Sequence, residues 1–220
     1  MKFVSLFAGV GGLDLGLERA GHECVGQVEI DPFATKVLEK HWPDVPRIRD
    51  VKEFQGHEFG RFDMLTGGYP CQPFSLAGNR AGEHDERHLW PEVHRIIRTV
   101  RPSIVLLENV PGHLSLGFGR VLGDLAESGY DAEWDCIPAA AVGAPHRRDR
   151  VFIVAYANKP RLERRFQRAN RRLFEADNLP AQQARKPWPN FVSQPIVRRG
   201  DHGFSNRVDR LRTLGNAVVP

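Results

Sequence analysis

The sequence predicts an α/β protein with a doubly wound, mostly parallel β-sheet. Three observations carry that expectation. Short apolar runs alternate with segments of helical period over the first 156 residues. The run SIVLLEN (103–109) is apolar on both faces, as strands buried in parallel sheets are. The first run leads into FAGVGG, a glycine-rich turn of the kind that joins a strand to a helix in close quarters.

The elements follow in order. KFVSL (2–6) reads as a short buried strand, and a helix is expected over about 13–20. HECVGQVE (22–29) is a second strand. DPFATKVLEKHW (31–42) is a helix opened by Asp31 with Pro32 in its first turn. FDMLTGG (62–68) is a third strand that runs into GGYPCQPFS, where two glycines and two prolines end regular structure around Cys71. A helix over about 88–99 precedes SIVLLEN, FGRVLGDLAESG (118–129) is a further helix, and YDAEWDCI and RVFIVAY are strands. Residues 1–156 form one unit, 157–205 a short basic region of loops and prolines, and 206–220 a closing segment that returns to the first unit.

The chain has 220 residues, 41% hydrophobic and 26% charged, enough for one well-filled domain. No apolar run approaches the roughly 20 residues needed to span a bilayer, so no membrane partner is expected. The N-terminal apolar stretch is broken by glycines and followed by Asp14, Glu18 and Arg19, unlike a secretion signal. The three cysteines, Cys24, Cys71 and Cys136, are far apart without metal-ligand spacing. They argue against a disulfide framework or a zinc site and for a reducing, cytoplasmic setting with no metal. The net charge of +4 is unevenly spread: residues 158–200 hold eleven basic residues against three acidic ones, a net +8 that leaves the remainder at −4. Such a basic segment suggests a polyanionic partner, the alternative being a solvated helix face.

In open α/β sheets ligands bind at the carboxyl ends of the strands. FAGVGG, Glu29, the PCQ segment and the ENV segment all fall at such ends, so they are expected to converge on one cleft. FAGVGG departs from the dinucleotide fingerprint, with Asp14 at its third glycine position, which suits a cofactor without phosphates better than a pyrophosphate. Glu29 is placed to accept both hydroxyls of a ribose, unless it is only a surface acid. Cys71 is either a presented nucleophile or a small loop hydrophobe. Glu108, a carboxylate closing an apolar strand, is expected to be partly buried with a raised pKa, a strand-end cap being the alternative. Arg148 and Arg150 stand two apart at a strand start and are expected to point the same way, or to form a surface ladder.

The order FAGVGG, Glu29, PCQPFS, ENV, RRDRVF, GNAVVP resembles the DNA (cytosine-5-)-methyltransferase family, from Phe7 to Pro220. The resemblance implies a Rossmann-like methyltransferase fold and transfer of a methyl group from S-adenosyl-L-methionine to C5 of a flipped-out cytosine in double-stranded DNA. The family forms a covalent cysteine adduct, and transfer RNA is the substrate of one branch. The resemblance assigns Cys71, Glu108, Arg148 and Arg150 to catalysis. It assigns Phe7, Gly9, Gly11, Glu29, Ile30, Asp50, Pro70 and Asn216 to the cofactor, and Gln72, Ser75, Arg87, Arg164 and Arg165 to DNA. It further implies a monomer within a restriction-modification system, with a cognate endonuclease as partner. Three departures stand out. His146 replaces the glutamine common before the arginine pair, the region after RRDRVF is short, and the chain stops where relatives continue into a further helix.

Overall fold

The computed structural model describes residues 1–70, 89–115, 117–144 and 146–157. The expected sites at Cys71, Gln72, Ser75, Arg87, Arg164, Arg165 and Asn216, and the regions 158–205 and 206–220, lie outside the described residues. The expected elements are all present: β1 (Lys2–Leu6), α1 (Gly12–Arg19), β2 (Glu23–Val28), α2 (Pro32–His41), β3 (Arg47–Ile48), β4 (Met64–Gly67), α3 (Trp90–Val100), β5 (Ile104–Asn109), α4 (Phe118–Glu127), β6 (Tyr130–Pro138) and β7 (Asp149–Ala157). Two 3-10 turns, Pro111–Ser115 and Ala139–Val142, complete the set among the described residues. Only β3 and these turns had no counterpart in the sequence reading, because two paired residues carry no period.

The strands form one sheet in the order β3-β2-β1-β4-β5-β7-β6. The first five are parallel to their neighbours, and β7 runs antiparallel to both β5 and β6. The reason is local. Parallel neighbours need a crossover, whereas the link from Pro138 to Asp149 holds only a 3-10 turn among its described residues, so β7 must turn back beside β6.

Burial follows the strand period. Phe3 and Val4 lie on opposite faces of β1 and both are fully buried, which makes β1 a central strand covered on each side. The larger core packs Val4, Leu65, Val105 and Ile153 against α3 and α4. The smaller one gathers Phe3, Leu17, Cys24, Met64 and Ile104 beneath α1. Helix α3 presents Trp90, Val93, Ile96 and Ile97 as one buried stripe at helical spacing. Each such aliphatic side chain contributes about 1.5–3 kcal/mol by leaving water. Helix α2 starts as expected: Asp31 accepts from the amides of Phe33 and Ala34, at 2.8 and 2.9 Å, and Pro32 fills the first turn.

Candidate active site

Every parallel strand delivers a residue to the same edge of the sheet. Phe7 follows β1, Glu29 follows β2, Arg49 and Asp50 follow β3, Gly68 to Pro70 follow β4, and Glu108 with Asn109 closes β5. Because β7 is antiparallel, its first residues reach this edge too and bring Arg150. Phe7, Gly9, Glu29, Ile30, Asp31, Arg49, Asp50, Gly68, Tyr69, Pro70, Glu108 and Arg150 are among the residues lining one cavity of about 420 Å³. The expected convergence of FAGVGG, Glu29, the start of PCQ and ENV on a single cleft is met for its described residues.

One end of the cavity is a glycine-loop cradle. Phe7 takes a left-handed φ of 53° and Gly9 one of 56°, so the chain doubles back directly after β1. The Glu29 carboxylate holds this turn: Oε2 accepts from the Gly9 amide and Oε1 from the Asp31 amide, each at 2.7 Å. A carboxylate offers about four lone-pair sites, so two remain open after these bonds. Asp50 Oδ1 accepts from the Lys52 amide at 2.9 Å. Gly11 has a structural role of its own. It caps α1 at φ 81°, it is absent from the cavity lining, and a Cβ there would stand 2.4 Å from the Trp42 ring. It serves the close approach of α1 to Trp42.

The other end carries the ion pair. Arg150 Nε donates to Glu108 Oε1 at 2.7 Å, with the two side chains 19% and 11% exposed. Burial pushes the Glu108 carboxyl above its ordinary value, and the guanidinium of Arg150, then that of Arg148, pulls in the opposite direction. The upward direction agrees with the sequence reading. Arg148 is a correction to it. It precedes β7 and has φ 32°, so strand alternation does not pair it with Arg150; it does not line the cavity, and it reaches Glu108 through the Coulomb field. His146 is exposed, just before this segment. Gly68 lies against the acid, since a Cβ there would stand 2.8 Å from Glu108 Oε2.

The departure at Asp14 also has a structural account. Its carboxyl faces the sheet beneath the glycine loop, fully buried, rather than the cavity. Burial raises its pKa from 3.8 to about 7, with a hydrogen bond to Ser5 opposing and the Glu18 charge reinforcing the rise. The Cys24 thiol, 4.0 Å away, is pushed up as well, by burial and then by the Asp14 charge.

Sequence reasoning missed Asp31, Arg49, Tyr69, Asn109 and His113. Asn109 and Tyr69 adjoin the motifs already singled out, whereas His113 and Arg49 carry no signal in a single sequence. Asn109 Nδ2 donates to the Tyr69 carbonyl at 3.2 Å, and the Tyr69 hydroxyl shares a hydrogen bond of 2.7 Å with His113 Nε2.

Comparison with known proteins matches residues 1–201 to the family model described as C-5 cytosine-specific DNA methylase. The type II methyltransferase M.NgoMIV of Neisseria gonorrhoeae is 42% identical over 166 residues, covering 72% of this chain and 53% of that protein. M.HgiBI of Herpetosiphon aurantiacus is 33% identical over 224 residues, covering 94% of this chain and 48% of that protein. The chain spans about half the length of the curated relatives it matches. Among solved structures, Spodoptera frugiperda DNMT2 superposes with a TM-score of 0.63 at 23% identity, over 72% of this chain and 50% of that one, a likeness of fold. A prophage-encoded E. coli protein described as a DNA modification methyltransferase gives 0.62 at 28% identity, over 71% of this chain and 47% of that one.

Proposed function

The chain belongs to the C-5 cytosine-specific DNA methylase family, and we propose on that basis that it transfers a methyl group from S-adenosyl-L-methionine to C5 of cytosine in double-stranded DNA. The observation that carries the proposal is the continuity of one cavity from the Glu29 cradle to the Glu108–Arg150 pair. A cofactor held at the first end would face a base held at the second.

The donor set fits that cofactor. Among the described residues, Glu29, Asp31 and Asp50 line its end with only Arg49 to oppose them, a field that disfavours phosphates and suits a ligand carrying sulfonium and ammonium charges. Glu29, with lone pairs to spare, would hold the two ribose hydroxyls; Phe7 would lie against the adenine, Ile30 would add an apolar contact, and Asp50 would serve the adenine amino group. Gly9 and Pro70 complete that end. When bound, the cofactor supplies an electrophilic methyl group.

The chain's own residues make cytosine able to accept it. C5 is a poor nucleophile until the Cys71 thiolate adds to C6 and moves electron density to C5. Glu108, its pKa raised by burial, can carry the proton that N3 gains and accept from the 4-amino group. Arg150 holds Glu108 in place and offers a donor to O2, and Arg148 adds positive charge beside them. Loss of the C5 proton then expels Cys71. The base must leave the helix for this chemistry, and Gln72, Ser75, Arg87, Arg164 and Arg165 are assigned to the DNA that surrounds it. Asn216 is assigned to the cofactor side. We read the protein as a monomeric modification enzyme with a cognate endonuclease; its likeness to type II methyltransferases supports the modification role.

The test is transfer of labelled methyl to unmethylated duplex DNA, with Cys71→Ala and transfer RNA in parallel. Label in DNA that vanishes with the variant is the expected result. Label in RNA alone would reassign the substrate, and label in neither would overturn the proposal.

A further inference from the structure

We propose that Tyr69 and His113 are a positioning pair, which fixes the segment entering Cys71 against the strand end bearing Glu108 and so governs the rate of methyl transfer. The inference rests on the function proposed above and deepens it.

The two strand exits meet at both ends of Tyr69. At its main chain, the Tyr69 carbonyl accepts from Asn109 Nδ2 at 3.2 Å, while Asn109 Oδ1 accepts from the Val110 amide at 2.9 Å. At its tip, the hydroxyl and His113 Nε2 are 2.7 Å apart. His113 rides on the 3-10 turn after β5, and its amide donates to the Val110 carbonyl at 3.0 Å, which ties that turn to the same strand end. The rings are packed in place, Tyr69 against Trp90 with centroids 5.3 Å apart and His113 against Phe118 at 5.8 Å.

A packing role alone does not ask for this pair. Phenylalanine at 69 and leucine at 113 would fill the space without the cost of burying a hydroxyl and an imidazole, here 4% and 6% exposed as residues. Buried polar groups that satisfy one another reward a single arrangement, which is what a reacting geometry needs. The arrangement fixed here is that of the flanking residues. Gly68, one position before Tyr69, lies against the Glu108 carboxylate, and Pro70, one position after, lines the cavity and precedes Cys71 in the chain.

The experiment compares wild type with Tyr69→Phe, His113→Leu and His113→Gln. It measures kcat for DNA methylation, cofactor Kd by calorimetry, and Tm. Tyr69→Phe and His113→Leu should each lower kcat by about tenfold or more, since small misplacements of reacting groups are costly. Cofactor Kd should stay within about twofold, because the loss lies in the reacting geometry rather than in binding. His113→Gln should recover most of the rate that His113→Leu loses, its amide being able to donate to or accept from the Tyr69 hydroxyl. Should His113→Leu fail to fold, Tyr69→Phe, one oxygen short of wild type, decides the matter. The proposal is overturned by an unchanged kcat in Tyr69→Phe, by a His113→Gln as slow as His113→Leu, or by a rate loss matched by the loss of cofactor affinity. Wild type without methyl transfer would remove the functional reading and the pair's role together, whereas active wild type with equally active variants removes only the pair's role.

Discussion

Arg150 Nε lies 2.7 Å from Glu108 Oε1 because β7 runs against β5. In an all-parallel sheet the start of β7 would lie at the opposite edge from the end of β5. The antiparallel insertion brings a basic strand start to an acidic strand end, and the short link after Pro138 enforces that direction. The Glu108 carboxyl is thereby set between burial, which raises its pKa, and two guanidiniums, which lower it.

Arg150→Ala removes the nearer of the lowering charges and leaves the burial. The Glu108 titration, followed by carboxyl-carbon NMR, should move to higher pH than in wild type. A midpoint that stays or falls would mean that the guanidinium does not govern this acid.

Gly68→Ala tests the close approach at the same acid. The new Cβ would stand 2.8 Å from Glu108 Oε2, so the carboxylate must shift to admit it. Methyl transfer should fall by about tenfold or more, while cofactor Kd is retained. Full activity in the alanine variant would show that the acid tolerates displacement.

Glu29→Gln should weaken cofactor binding about ten- to a hundredfold, the range expected for loss of charged hydrogen-bond acceptors. The amide keeps one acceptor oxygen for two backbone donors, those of Gly9 and Asp31, so the cradle loosens as well. Calorimetry reads the effect directly. An unchanged Kd would separate Glu29 from the cofactor.

Asp14 gives a pH dependence with a definite sign. Its folded-state pKa of about 7 lies above the ordinary 3.8, so the folded chain binds the proton more tightly than the unfolded chain. Its contribution to stability is therefore complete below about pH 4 and declines as pH rises toward 7, by up to roughly 1.4 kcal/mol for each pH unit in that window. Asp14→Asn, which cannot ionise, should gain stability relative to wild type as pH rises from about 4 to about 8 in denaturant titrations, a range that spans the window. A difference that does not change with pH, or that changes in the reverse sense, would refute the assignment.

Most of the site was legible in the sequence because strand ends are. Glu29, Pro70 and Glu108 each follow an apolar run, and parallel topology sends such ends to one edge. Three features were not legible, for physical reasons. β7's direction depends on the missing crossover helix rather than on its own residues, and with it went the true placement of Arg148. Gly11 reads as a ligand glycine, and a further demand for glycine there comes from Trp42, thirty-one residues away in the sequence, a contact that only the fold creates. His113 meets Tyr69 across forty-four residues and on a turn without period, so nothing local marks it.

The most direct measurement is covalent capture on duplex DNA carrying 5-fluorocytosine, in the presence of S-adenosyl-L-methionine. Fluorine replaces the proton whose loss expels Cys71, so the adduct should persist through denaturation, map to Cys71, and be absent from Cys71→Ala. Its formation should be slowed in Glu108→Gln. A folded, cofactor-binding chain that forms no adduct, or one that maps to another residue, would contradict the central claim that this single cavity joins a cofactor cradle to a cytosine-reactive centre.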